Sequence, residues 1–168
     1  PRWSRGLGDG NKRQDPYLDE EWAAFRNIPL TEKDHRILLD DPEIDAILIG
    51  SPSAEHATQM IECAEAGKHI FCEKTIALDP NVIRNALTKV DKSGVKFQGG
   101  FNRRFDLNFS AVQQQVASGA LQETHNVCIT SRDATPPPAE DVAGSRGMVR
   151  YKTIRHFDMT RFLSGTEV

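Results

Sequence analysis

Apolar residues along this chain follow two patterns. Ala46-Ile-Leu-Ile49 and His69-Ile-Phe-Cys72 are short apolar runs, each stopped abruptly by turn or charged residues. Runs of that length and composition predict fully buried strands. Between them Ala57, Met60, Ile61 and Ala64 recur at helical spacing, with Ser53 as the N-cap and Gly67 as the stop. Strand, helix and strand within about thirty residues make one βαβ unit, hence a parallel sheet with a right-handed crossover. Ligands of such sheets sit beyond the carboxyl ends of the strands. Those ends carry Ser51-Pro52 and Glu73-Lys74. Spacing alone leaves two readings of the charged pair open: part of a site, or the first solvated residues after a buried strand.

The flanking pattern is less regular. Pro1 to Pro16 is polar and turn-rich, and is expected to be a mobile tail. Its cluster Gly6-Leu-Gly-Asp-Gly10 lacks the preceding buried strand and following helix that a phosphate-binding turn needs. Tyr17 to Phe25 predicts a short helix, Asn27-Ile-Pro-Leu30 an extended piece, and Lys33 to Leu39 another helix. Downstream, Asp79 caps a helix with Pro80 at its first position, Val82, Ile83, Ala86, Leu87 and Val90 on one face, and Gly94 at its end. Val95 to Gln98 predicts a strand and Asp106 to Ser118 a helix stopped by Gly119. Thr124 to Ser131 alternates polar and apolar, as a half-buried antiparallel strand does. That change of period places a domain boundary near Leu121, so residues 17–121 form one domain and 122–168 begin a second. Ala134-Thr-Pro-Pro-Pro138 is a stiff loop, and Tyr151 to Leu163 predicts the last helix.

Composition narrows the function classes. A net charge of −3 over 168 residues argues against nucleic acid or an anionic membrane as partner. No apolar run reaches the length of a bilayer span, and no signal-peptide pattern opens the chain, which predicts a cytoplasmic protein. Cys63, Cys72 and Cys128 lack metal-ligand spacing; the first two fall in segments predicted to be buried and read as reduced core thiols.

The segments Asp45-Ala-Ile-Leu-Ile-Gly-Ser-Pro-Ser-Ala-Glu-His56 and Ala66-Gly-Lys-His-Ile-Phe-Cys-Glu-Lys74 together resemble the glucose–fructose oxidoreductase and inositol dehydrogenase (Gfo/Idh/MocA) family, most nearly its inositol 2-dehydrogenase branch. The similarity runs from about Tyr17 to the end of the chain. It implies an α/β fold: part of a Rossmann-type parallel sheet, followed by the start of an α+β substrate domain with an antiparallel sheet. It also implies NAD or NADP as cofactor, a polyol or sugar as substrate, and a homo-oligomer. The glycine-rich turn and the two strands that open such a domain have no recognisable counterpart, nor does the ribose-binding carboxylate that separates NAD from NADP.

Transferring a hydride from an alcohol requires a nicotinamide against the carbinol carbon, a base for the hydroxyl proton, and polar groups that fix the ring. The resemblance assigns Lys74 to the lysine near nicotinamide and substrate, with Thr75 where the family carries proline. It places Ser51, Pro52, His56, Glu73, Asn102 and Arg103 around the cofactor, and Arg104, Asp133 and Asp158 on substrate hydroxyls. The family's acid/base histidine, with an aspartate four residues before it, falls on Arg155, and the aspartate on Tyr151. The resemblance puts both substitutes on the substrate side and helical spacing puts them on one face, but Arg does not release its proton near neutral pH. His156 is the neighbouring group that could replace the base, rotated about 100° around the helix. The sequence therefore supports a polyol dehydrogenase weakened in this chain. Its competitor is a catalytically inactive relative that binds a partner.

Overall fold

The computed structural model describes residues 34–132 and 153–166, together with the backbone of 12–14 and 30–32. Two compact units divide between Gly100 and Phe101.

In the first unit, β1 (Lys12–Gln14) pairs in parallel with β2 (Leu30–Glu32). These two strands correct the sequence reading, which put Lys12–Gln14 in a tail. Lys-Arg-Gln has no apolar residue to announce a strand, and its partner lies eighteen positions away in register, Lys12 beside Leu30. The predicted helix at 17–25 lies outside the described residues. Helix α1 (Arg36–Asp40) leads to β3 (Ala46–Ile49), α2 (Ser53–Glu65), β4 (His69–Cys72), α3 (Pro80–Ser93) and β5 (Phe97–Gly99). The three strands form a parallel sheet in the order β3-β4-β5, with Ile49 beside Cys72 and Cys72 beside Gly99. Both apolar runs fold at the predicted bounds.

Side chains alternate across a strand, so this register puts Ile47, Ile49, Ile70, Cys72 and Phe97 on one face. That face meets Met60, Cys63 and Ala64 of α2 and Ala86 and Val90 of α3 in one core. The opposite face is less covered: Leu48 is 54% exposed, so β3 is not the fully buried strand its composition predicts. Val82 and Leu87 of α3 are also exposed, because the buried stripe of that helix is narrower than its apolar content. Asp79 does cap α3, its carboxylate accepting the Asn81 N–H at 2.8 Å, and Gly94 ends the helix at φ 71°. At α2 the cap differs from expectation. Ser53 is the first helical residue, Pro52 holds the N-cap position, and no side chain caps the turn. Lys68 is buried at the start of β4, where its ammonium donates to the carbonyls of Asp41 (2.7 Å) and Ile44 (2.9 Å) and ties β4 to the loop entering β3.

The second unit opens with a 3-10 turn (Asn102–Phe105), followed by α4 (Leu107–Ala117), capped by Asp106, and later α5 (Ile154–Ser164). All three pack together. The unit begins twenty residues before the predicted boundary at Leu121, since α4 belongs with α5 rather than with the sheet. Residues 124–131 keep the predicted alternation, Val127 and Ile129 being less exposed than their neighbours, but pair with no strand among the described residues. Ladder partners, which periodicity does not supply, decide whether such a segment becomes a strand.

Burial raises the thiol pKa values of Cys63 and Cys72 to about 12, helped at Cys63 by Glu62 and at Cys72 by Glu73. Cys128 is exposed. Native protein at neutral pH is expected to react with a thiol reagent at Cys128 alone, and at all three cysteines once unfolded. The stability that un-ionised thiols confer is complete below the ordinary value of 9.0 and declines as pH rises toward about 12. Mass spectrometry after alkylation, and urea unfolding across that alkaline range, check both statements.

Candidate functional site

Parallel pairing brings the carboxyl ends of β3, β4 and β5 level with one another. The ladder continues one step past the strands: Glu73 N–H donates to the Ile49 carbonyl at 2.9 Å and Gly100 N–H to the Cys72 carbonyl at 2.8 Å. Ser51-Pro52, Glu73-Lys74 and Gly100 therefore emerge along one edge, where the predicted cofactor residues of the first unit were sought. Adjacent strands with level tips are what the sequence argument required.

Each residue has a distinct setting. Ser51 Oγ donates to Gln59 Oε1 at 2.6 Å, and Gln59 Nε2 donates to Glu55 Oε2 at 3.1 Å. Pro52 leads into α2, whose first N–H groups no side chain caps. Glu73 and Lys74 are half-buried, and the Glu73 carboxylate accepts the Lys74 N–H at 3.2 Å. The Lys74–Thr75 peptide is cis, and Thr75 is buried. His56 is 1% exposed, and both ring nitrogens contact main-chain carbonyls: Nδ1 to Thr75 O at 2.9 Å, Nε2 to Ser51 O at 2.6 Å.

Gly100 was not singled out from the sequence. A Cβ there would lie 3.1 Å from the Glu73 Cα and 3.0 Å from Glu73 Oε2. The Gly99-Gly100 pair after a short strand carried the signal, since glycine marks close backbone approach.

In the second unit the 3-10 turn carries Asn102, Arg103 and Arg104. Arg103 Nη2 lies 3.5 Å from Ser131 Oγ. Arg104 Nε is 3.0 Å from both Asp158 carboxylate oxygens, and its Nη2 reaches one of them as well, making a two-pronged pair. The Arg104 guanidinium also stands 5.6 Å from the Phe162 ring centre. The hydrogen bond to Asp158 holds the Arg104 pKa above its ordinary value, so Arg104 is a fixed cation and no proton carrier. Arg155 and His156 are partly buried on α5, and Arg155 Nε is buried with no hydrogen-bond partner among the described residues. Asp133 and Tyr151 lie outside the described residues.

Comparison with known proteins accounts for this arrangement. A profile of the Gfo/Idh/MocA oxidoreductase family, NAD-binding Rossmann fold, matches residues 10–101. The chain belongs to this family. An uncharacterized oxidoreductase, YrbE, of Bacillus subtilis is 44% identical over 149 residues, covering 89% of this chain and 44% of that protein. An inositol 2-dehydrogenase of Rhizobium meliloti is 45% identical over 125 residues, covering 74% and 38%. The crystal structure of a probable dehydrogenase from Thermotoga maritima superposes with a TM-score of 0.89 at 36% identity, covering 92% of this chain and 47% of that one. A scyllo-inositol dehydrogenase from Lactobacillus casei, with NAD(H) and scyllo-inositol bound, superposes with a TM-score of 0.76 at 26% identity, covering 96% and 51%. The chain thus spans about half the length of these relatives or less.

The strand edge carries the N–H groups at the start of α2, which no side chain caps, and the half-buried Glu73 and Lys74. The glycine cluster at 6–10 lies outside the described residues. Among the described residues no group of three or more His, Cys, Asp or Glu side chains could hold a metal ion, and no helix is long and apolar enough to cross a membrane. A shallow depression of about 480 Å³ lies on α3, lined by Pro80, Ile83, Arg84 and their neighbours, none of them a strand-tip residue.

Gly100→Ala is expected to push Glu73 away from the tip of β5 and to destabilise the protein by about 1–3 kcal/mol, because the nearest obstacle includes backbone that cannot rotate aside. Chemical denaturation measures the loss. Glu73→Ala in the same chain is expected to restore only part of it, since the main chain at position 73 stays in the way.

Proposed function

We propose that this chain is an NAD-dependent dehydrogenase of polyols, of the inositol 2-dehydrogenase type, with its proton-transfer step impaired. The observation that carries the reading is the level edge of β3, β4 and β5, with Ser51, Pro52, Glu73 and Lys74 at the tips of adjacent strands. Inositol dehydrogenases among the relatives, one with NAD(H) and scyllo-inositol bound, support the substrate class and the choice of NAD.

Bound NAD supplies the hydride acceptor. Ser51, Pro52 and Glu73 line the nicotinamide end, and the Lys74 cation polarises the substrate oxygen. The resemblance assigns Asn102 and Arg103 to the cofactor. Arg104 and Asp158 take substrate hydroxyls through donors and acceptors their mutual pair leaves over: a guanidinium has five N–H groups, and the pair engages only part of them. Asp133 and Tyr151 are assigned to the polyol by resemblance. Arg155 also faces substrate in this reading but cannot accept a proton, which leaves His156 as the substitute base and the step slow.

Calorimetric titration with NAD is expected to give saturable binding, while NADH formation from myo-inositol stays weak. Arg155→His is expected to raise that rate by about 100-fold, the lower range of a positioned general base. Absence of NAD binding, together with self-association that grows with concentration, would instead favour the non-catalytic interaction module that Arg155 and Tyr151 leave as the second reading.

A further inference from the structure

We infer that His56 is a positioning residue: held as an imidazolium, it fastens the Ser51 carbonyl at the tip of β3 to the Thr75 carbonyl in the turn after β4. Only the functional consequence of this clasp rests on the proposed cofactor site.

The argument begins with donor counting. A neutral imidazole has one N–H and one lone pair, whereas the imidazolium has two N–H groups. Both nitrogens of His56 face carbonyl oxygens, which only accept. A neutral ring would therefore set a bare nitrogen against an oxygen in a site that is 1% exposed. The doubly protonated ring satisfies both contacts. The 2.6 Å separation at Ser51 is short for a neutral N–H···O bond and in keeping with a charged donor.

Charges around the ring act in both directions. The start of α2 and Lys74, next to Thr75, oppose a cation. Glu55, adjacent to His56 on its own helix, and Glu73, two residues before Thr75, favour it. Gly50 and Pro52, on either side of Ser51, carry no charge. The two carbonyl acceptors are fixed by the main chain on each side.

The clasp also explains why His56 serves the site without touching a ligand. The resemblance placed it beside the cofactor, yet both of its nitrogens are engaged inside the protein. It acts through what it holds. On one side is Ser51, further tied to Gln59 and Glu55; on the other is the turn that aims Lys74. Two loops separated by α2 and β4 then move as one piece.

Nitrogen-15 NMR of the ring at pH 7 tests the assignment in the intact chain without any ligand. Two protonated, slowly exchanging ring nitrogens are expected; one protonated and one bare nitrogen would overturn the imidazolium clasp. In His56→Gln, whose single amide nitrogen cannot serve both carbonyls in their present places, the amide signals of Ser51, Lys74 and Thr75 are expected to shift together while those late in α3, such as Val90, hold still. Unchanged signals at the two tips would overturn the positioning role. NAD affinity of the same variant is expected to fall by roughly tenfold, the equivalent of one charged hydrogen bond. A wild-type chain that ignores NAD but shows two ring N–H groups would refute the cofactor reading and leave the clasp standing. Should His56→Gln fail to fold, the wild-type ring spectrum still decides.

Discussion

The alignment of three strand ends is the constraint on which the rest of this structure depends. Ile49, Cys72 and Gly99 stand in one register, and main-chain hydrogen bonds continue the ladder to Glu73 and Gly100. A slip of one residue at β4 would turn Ile70 and Cys72 out of the core and Phe71 into it, because side chains alternate across a strand. It would also withdraw Lys74 from the edge. Core packing and site geometry are therefore set by the same pairing. Met60, Cys63 and Ala64 of α2, together with Ala86 and Val90 of α3, close over the face that this register makes apolar.

Much of this was legible in the sequence, for local reasons. The runs at 46–49 and 69–72 announce themselves by composition, and the ends of α3 by Asp79, Pro80 and Gly94, each acting on its own backbone. What escaped depends on groups far apart in the chain. β1 is polar throughout, so only its pairing with β2 makes it a strand. Residues 124–131 have a strand's alternation without a described partner. The burial of Lys68 depends on the carbonyls of Asp41 and Ile44, which lie more than twenty positions earlier in the chain. His56 was visible as a motif residue, but the two oxygens that define its work belong to residues 51 and 75. Arg104 and Asp158 were picked out singly; that they grip one another across fifty-four positions could not be read from either.

In the proposed reading the second unit keeps a family framework without its acid/base group. The Arg104–Asp158 pair and the Phe162 ring hold the 3-10 turn against α5, an arrangement that asks nothing of the acid/base position. The resemblance assigns Arg155 to that position on the same helix, and its Nε is buried without a partner among the described residues. In the proposed reading, a permanent cation in place of a titrating imidazole leaves the helix intact but cannot accept a proton near neutral pH. In that reading, losing the base need not entail losing the strand edge, since β3, β4 and β5 build the edge without α5.

That separation makes the strand edge the claim to test first. Backbone amide NMR of the whole chain during titration with NAD gives the most direct view. The account predicts that the largest shifts fall on Ser51, Ser53, Glu73, Lys74 and Gly100, at the tips of all three strands and the start of α2. Saturable shifts confined elsewhere, such as the outer surface of α3 around Arg84 and Leu87, would contradict it.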